Sequence, residues 1–306
     1  MAVQVSAAPT SESELCVGDR VRSTARPEWG PGRIASAPCA GKVSVLFREG
    51  GARTLALVHA KLERLADGEA TDGWLELLSL EPLSSTAPHL SPAQVAERFL
   101  ARHPDGFRDE GYLRRERAPF EAARGLLRGE LSRDVLRSAT RSRRWEPPCR
   151  AALETIAAAK LVPAGDVALL RRALEASAAR RVFGTALAEL LHGRRPPEER
   201  VVAFAAALRE LDAARWSLAT FFAFVRFPDQ HLLLRPGETS AAAAALRFDL
   251  EFRSEVNAAT YARLLRLARA LAQEVAALEP ADLFDVYALL RCAAAPGRPA
   301  EPAARH

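Results

Sequence analysis

Hydrophobic and polar residues alternate along residues 17–57 in a pattern that predicts short β-strands. The segments GDRVRS and GRIASA alternate with period two, and KVSVLFREGGARTLALV contains two such runs on either side of a Glu-Gly-Gly turn. In the third run Val43, Val45 and Phe47 fall on one face of the strand. Four or five short strands within about 50 residues are typical of a small, strongly bent β-barrel.

Two glycines and the last segment of residues 17–65 add to the prediction of a β-barrel. We expect Gly30 and Gly32 to lie where the chain bends or where two backbones come close. The segment HAKLERL at 59–65 is expected to form a short helical turn that closes the unit.

The pattern changes to helical periodicity at about residue 91. Ser91, Pro92 and Gln94 form a helix-start signal, with serine as the N-cap, proline at the first helical position and glutamine where a capping box requires it. Helix after helix is then predicted, with one ending at Gly193 and the following proline pair. The run FFAFVRF is interpreted as part of a buried helix.

These patterns predict a multidomain β + α protein, with a small β-barrel followed by a larger all-helical domain. The predicted segments are a disordered leader at 1–15, the barrel at 16–66, a linker at 67–90, the helical domain at 91–292 and a disordered tail at 293–306.

The charge of the chain is concentrated in its middle. The net charge is +5, and residues 108–150 alone contain 12 Lys or Arg and 7 Asp or Glu.

No apolar run reaches the length of a membrane span, and the first residues lack the features of a secretory signal. Four scattered cysteines are interpreted as free thiols of a cytoplasmic protein, with a Cys16–Cys39 contact as the alternative.

One arginine pattern within this basic region suggests an anion-binding surface. The arginine stripe recurs at positions i, i+4, i+8 and i+11 and consists of Arg133, Arg137, Arg141 and Arg144. On a single helix these side chains would share one face and repel each other unless anions lie opposite. A phosphate backbone or an acidic protein surface would supply them, and Trp145 adds a possible stacking group. The alternative is a solvated face partly neutralised by Glu130 and Asp134.

The β segment resembles the Tudor-like, SH3-type domain at the C-terminus of UvrD/PcrA-type DNA helicases. It also resembles a short bacterial family of unknown function with a PEWG core. The matching residues lie at 18–22, 27–34, 43–47 and 54–65. The sequence has no Gly-Lys-Ser/Thr phosphate loop, so helicase activity does not follow from the resemblance.

The resemblance implies an SH3/Tudor-like barrel that acts as an adaptor. In such helicases the domain is thought to contact RNA polymerase or nucleic acid, and the related CarD-type domain binds polymerase. The implied partner-binding residues here are Arg22, Pro27, Glu28, Trp29 and Arg33. Trp29 would be the exposed anchor, or alternatively a cap on one end of the barrel. Residues 216–236 are similar to a helical module of uncharacterised bacterial proteins, which implies no chemistry.

We therefore expect a non-enzymatic interaction protein in DNA repair or transcription, without cofactor or metal. The barrel would bind a protein partner such as RNA polymerase, or nucleic acid such as DNA, and the arginine stripe would add non-specific affinity. One alternative is a Mg²⁺-dependent nuclease built on Asp229 with Asp249 or Glu251, although Arg253 could not serve as its base. We favour instead a Pro-Asp turn with a local hydrogen bond from His231. The other alternative is a structural helical subunit.

Overall fold

The computed structural model of the protein describes residues 15–66, 73–80 and 89–295. The described residues form two compact units. The first comprises the described part of Met1–Val95 together with Ala243–Asp249, and the second the described part of Ala96–Ala242 and Leu250–His306. A β domain and a larger helical part are present, as the sequence predicts.

The β domain is a five-stranded antiparallel sheet with the strand order β4-β3-β2-β1-β5. Its strands are β1 (Arg20–Ser23), β2 (Pro31–Cys39), β3 (Lys42–Phe47), β4 (Gly51–Ala56) and β5 (Leu62–Arg64). Val43, Val45 and Phe47 are buried in its core together with Val21 and Ile34. The predicted period of two in β3 is therefore confirmed.

The predicted helical turn at 59–65 is wrong in its second half. Ala60 donates a backbone hydrogen bond to Ala56, which forms a single turn. The chain then extends into β5, where Arg64 pairs with Val21 of β1. β5 pairs with the edge of β1 that β2 leaves open, and its three residues are too few to show a period of two in the sequence.

Two glycines occupy positions that a side chain would disturb. Gly30 has a φ of +68°, in the region that favours glycine. At Gly32 a Cβ atom would lie 2.7 Å from Cδ1 of Phe47, so β2 and β3 approach closely there. Both positions agree with the sequence prediction.

The predicted linker contains an ordered helix of the first unit. In α1 (Gly73–Leu77) the side chains of Trp74 and Leu75 are buried. Arg33 Nη1 donates to the carbonyl oxygen of Leu75 over 3.1 Å, and Arg20 Nη2 lies 2.7 Å from Glu76 Oε1. Burial of two large apolar side chains and these polar contacts explain why this segment packs. Residues 67–72 and 81–88 lie outside the described part of the chain.

The predicted helix start at Ser91 is confirmed. Ser91 Oγ accepts a hydrogen bond from the Gln94 amide over 3.2 Å, and Gln94 Oε1 accepts one from the Ser91 amide over 2.9 Å. This reciprocal pair is a capping box, and it begins α2 (Pro92–Leu100).

Further helices follow α2, as the sequence predicts. In the described residues they are α3 (Glu110–Tyr112), α4 (Ala118–Glu130), α5 (Arg133–Ser142), α6 (Glu146–Ala159), α7 (Ala164–Ala173), α8 (Ser177–His192), α9 (Pro197–Glu210), α10 (Trp216–Arg226), α11 (Pro236–Ala245), α12 (Ala258–Glu274) and α13 (Leu283–Ala294). A π-helical segment, Leu113–Arg117, joins α3 to α4. Every residue of α10 from Trp216 to Val225 is buried, which confirms the predicted core helix.

The ends of the chain can be compared with the prediction only in part. Residues 1–14 and 296–306 lie outside the described residues, and the start of the predicted tail at 293 is wrong because α13 continues to Ala294 with Ala293 buried. Leu15, assigned to the leader, is 6% exposed and belongs to the core of the β domain.

The four cysteines are free thiols. Within the described ranges, no helix combines the length and apolar character needed to cross a membrane.

Candidate nucleic-acid interface

The candidate interface lies on α5 and α8 of the second unit. Arg133, the first residue of α5, donates from Nη2 to the carbonyl oxygen of His192, the last residue of α8, over 3.1 Å. His192 Nε2 donates in turn to the carbonyl oxygen of Leu131 over 2.9 Å. These two hydrogen bonds place the start of one helix beside the end of the other.

A groove of about 670 Å³ opens where the two helices meet. α5 contributes Arg133, Arg137 and Thr140, and α8 contributes Glu189 and His192. The chain then continues through Gly193 to Arg194 and Arg195, which also line the groove. We call this site the arginine groove, and its charged lining is Arg133, Arg137, Glu189, Arg194 and Arg195.

The arginine groove has an unbalanced positive charge. Four guanidinium groups face a single carboxylate, that of Glu189. Within the described residues, no carboxylate lies within 4.0 Å of any of the four guanidinium groups. The sequence alternative of neutralisation by Glu130 or Asp134 therefore has no ion pair to support it. Four positive charges and one negative charge along one open groove favour an anion there.

His192 does not add to this charge at neutral pH. Burial lowers the pKa of His192 from its usual value, the hydrogen bond to Leu131 opposes this, and the positive charges of Arg226, Arg133 and Arg200 lower the pKa further. The imidazole is therefore neutral at pH 7. The charge of the arginine groove comes from guanidinium groups, which stay protonated throughout the physiological range.

Three members of the arginine stripe lie on one helix, whereas the fourth lies beyond its end. Arg133, Arg137 and Arg141 lie on α5 and are exposed. The helix ends at Ser142 because Arg143 adopts a left-handed conformation, with a φ of +57°. Arg144 therefore lies in the turn after α5 and not on its face.

Trp145 cannot serve as the stacking group that the sequence suggested. Its side chain is buried, with 6% exposure, at the start of α6. The indole packs against Gly184 of α8. Trp145 thus fixes the packing of α6 on α8.

The PEW turn of the β domain leaves Trp29 half-buried. Pro27–Trp29 form a short 3₁₀ turn, and the indole packs on Phe47 with the ring centroids 5.1 Å apart. The guanidinium of Arg53 lies 5.6 Å from the indole centroid. Trp29 is therefore both a partial cap on the β core and an accessible aromatic edge.

The other predicted partner-binding residues divide into two groups. Arg22, Pro27 and Glu28 are exposed, and Glu28 pairs with Arg26 over 3.4 Å. Arg33 instead has its side chain committed to Leu75 and Glu76 of α1, which leaves it little freedom to contact a partner. Its role in this structure is internal.

The residues of the nuclease alternative do not form a metal site in the described part of the chain. In that part, no group of three or more His, Cys, Asp or Glu side chains is placed to hold a metal ion. Glu251 is paired with Arg263, and Asp229 is exposed. His231 bonds through Nδ1 to the hydroxyl of Tyr261, 30 residues later, so the predicted local hydrogen bond is wrong.

A buried charged cluster that the sequence analysis did not identify joins the α3–α4 region to α13. Arg117 donates to Asp282 over 2.7 and 2.8 Å and to Asp285 over 3.1 Å. The Tyr112 hydroxyl donates to Asp285 over 2.6 Å, and the Ala281 amide over 2.7 Å. These contacts satisfy Asp285 internally, so we assign the cluster a structural role.

The comparisons with known proteins cover the β domain. Residues 15–65 match a family described as a protein of unknown function (DUF3553). The match spans all five strands, and the description names neither an activity nor a partner. No curated protein and no solved structure matches the chain significantly.

Proposed function

We propose that the protein is a non-enzymatic nucleic-acid-binding adaptor. The arginine groove binds phosphate groups, and the β domain contacts a protein partner. The observation that supports the first part is the convergence of four arginines on one groove with a single carboxylate among them. An adaptor role in DNA repair or transcription rests on the helicase-like resemblance of the β domain.

Phosphate is the anion that fits the groove best. Guanidinium groups bind phosphate oxygens through paired, charge-assisted hydrogen bonds. Several guanidinium groups on one surface also release the counterions condensed on a nucleic acid, which provides affinity without base contacts. The groove is open and polar, so it suits a polymer backbone better than an enclosed small ligand.

The β domain is proposed to be an SH3/Tudor-like barrel that binds protein. Register shifts after Ile34 and Ser36 bend β2, which is how a short sheet curls. Trp29 offers an aromatic edge beside the exposed Pro27 and Glu28. Half-buried tryptophans with polar neighbours are frequent anchors of protein interfaces. The resemblance favours RNA polymerase as the partner.

Fluorescence anisotropy with a labelled DNA duplex of about 20 base pairs tests the first part of the proposal. In about 50 mM salt, Arg137→Gln/Arg195→Gln should weaken binding at least about 10-fold, because each lost phosphate contact reduces counterion release. The control is Arg266→Gln/Arg269→Gln, which removes the same charge from exposed positions on α12. We expect less than about a twofold change for the control. Equal losses in both variants would contradict the proposal.

Binding to purified bacterial RNA polymerase tests the second part. Glu28→Lys reverses a charge at the exposed rim and leaves the core unchanged, whereas Trp29→Ala also removes a packing contact with Phe47. Loss of binding in both variants supports a contact at this turn. Retention in both would rule out the turn as the contact surface.

A further inference from the structure

A second basic groove lies at the opposite end of the α5–α8 pair. It is lined by Arg143, Arg144 and Glu146 after α5 and by Ser177, Arg180 and Arg181 at the start of α8, and it encloses about 440 Å³. Arg180 is held in place because its Nη1 donates to the carbonyl oxygens of Leu174 and Glu175 over 3.0 and 2.8 Å. We call this site the second groove.

The second groove has the same charge imbalance as the arginine groove. Four arginines line it, together with a single carboxylate, that of Glu146. In the part of the chain that the structure describes, no ion pair joins Arg143, Arg144 or Arg181 to a carboxylate. Their charges therefore face solvent.

The antiparallel arrangement of α5 and α8 fixes the spacing between the two grooves. The arginine groove runs along α5 from Arg133 to Thr140 and along α8 from Thr185 to His192, and the second groove lies beyond the end of α5 and at the start of α8. Arg133 of the arginine groove and Arg143 of the second groove stand at the two ends of α5, and at a rise of 1.5 Å per residue the ten residues of this helix separate them by about 15 Å. Arg137, which also lines the arginine groove, and Arg141 lie between these two arginines on the exposed face of α5.

This spacing and the lining chemistry favour a double-stranded partner. The major groove of a DNA duplex is about 12 Å wide, so phosphates on its two rims lie at a separation comparable to the distance between the arginines at the two ends of α5. Proteins that bind single strands stack bases on exposed aromatic rings. The aromatic rings that line the two grooves are Trp145, which is buried, and His192, which is held by its hydrogen bond to the Leu131 carbonyl.

We propose that the α5–α8 pair binds double-stranded DNA across one groove of the duplex, with one basic groove at each phosphate rim. This inference rests on the proposed function and assigns its substrate class. Arginines at both ends then contribute together, and neither end alone supports full affinity.

Anisotropy with matched probes tests the inference. The probes are a duplex of about 20 base pairs and one of its single strands, in about 100 mM salt. We expect the duplex to bind at least about 10-fold more tightly. Arg143→Gln/Arg181→Gln in the second groove should weaken duplex binding about as much as Arg137→Gln/Arg195→Gln, and Arg266→Gln/Arg269→Gln should not. Circular dichroism of each variant checks that the helices are intact.

The possible results separate this inference from the proposed function. Equal or tighter binding of the single strand, with loss of binding in the Arg137→Gln/Arg195→Gln variant, overturns the duplex assignment and leaves nucleic-acid binding intact. Duplex binding that does not change in the Arg143→Gln/Arg181→Gln variant overturns the two-groove geometry. Failure of the wild-type protein to bind either probe overturns both proposals.

Discussion

The indole of Trp145 occupies the space that a side chain at position 184 would need. A Cβ atom on Gly184 would lie 2.2 Å from Cε3 of the indole. Trp145 begins α6 and Gly184 lies in the middle of α8, so this contact sets the distance between the two helices. It also anchors the turn that carries Arg143 and Arg144.

Substitution of Gly184 tests this contact. We expect Gly184→Ala to destabilise the protein by about 1–3 kcal/mol, because the tryptophan or the helix must move. Gly125→Ala in α4 is the control, since nothing lies within 4 Å of its added methyl group. The control should raise stability by up to about 1 kcal/mol through helix propensity. Urea denaturation measures both effects, and stabilisation by Gly184→Ala would contradict the packing.

Two neighbouring arginines of the arginine groove should respond differently to substitution. Arg133 hydrogen-bonds to the His192 carbonyl, whereas Arg137 has no such contact among the described residues. Arg133→Gln should therefore lower stability by about 1 kcal/mol and weaken DNA binding, while Arg137→Gln should weaken binding only. Thermal denaturation and anisotropy on the same preparations separate the two effects. An equal loss of stability in both variants would argue against the Arg133–His192 contact.

The buried cluster around Arg117 should contribute strongly to stability. Asp285 is 2% exposed, and Arg117→Met would leave its carboxylate without a positive partner. We expect a loss of about 3–5 kcal/mol. Arg108→Met removes an exposed pair with Glu279 and should cost at most about 1 kcal/mol. Equal denaturation midpoints for the two variants would show that Arg117 does not hold α13 in place.

Stability should also fall at mildly acidic pH because of His231. Burial, with Arg200 and Arg269 nearby, lowers the pKa of His231 to about 4, and the side chain is 1% exposed. Below pH 6.5 the unfolded chain takes up a proton that the folded protein does not bind. Stability therefore decreases as the pH falls from about 6.5 towards 4, with a loss of about 2 kcal/mol at pH 5.

A variant isolates this contribution from that of the carboxylates. His231→Asn keeps a polar atom near Tyr261 and removes the titrating group. The stability difference between pH 7 and pH 5 should shrink by about 2 kcal/mol in the variant. Urea denaturation at both pH values measures it. An unchanged difference would mean that His231 titrates normally.

Local patterns in the sequence predicted much of the fold. The period of two in β3, the capping box at Ser91 and the mostly apolar α10 each depend on neighbouring residues, and each prediction is confirmed. The strand β5 was missed because its pairing with β1 is a long-range contact. Burial of Trp145 was missed for the same reason, since it requires Gly184.

The candidate site shows the same limit. Spacing along α5 indicated Arg133 and Arg137, but Arg194 and Arg195 join them only because α8 returns beside α5. In the sequence, Arg194 and Arg195 stand between Gly193 and two prolines. This basic pair is a signal for an anion site, but the segment was interpreted only as the end of a helix. The ion pair between Arg33 and Glu76 could not be predicted because Glu76 lies on α1, a helix within the predicted linker.

The salt dependence of DNA binding tests the phosphate-binding role of the arginine groove most directly. For duplex DNA, the logarithm of the binding constant falls with the logarithm of salt concentration by about 0.9 per phosphate neutralised. The slope should become shallower by about 2 in Arg137→Gln/Arg195→Gln and stay unchanged in Arg266→Gln/Arg269→Gln. Parallel lines for the wild type and the groove variant would contradict the account.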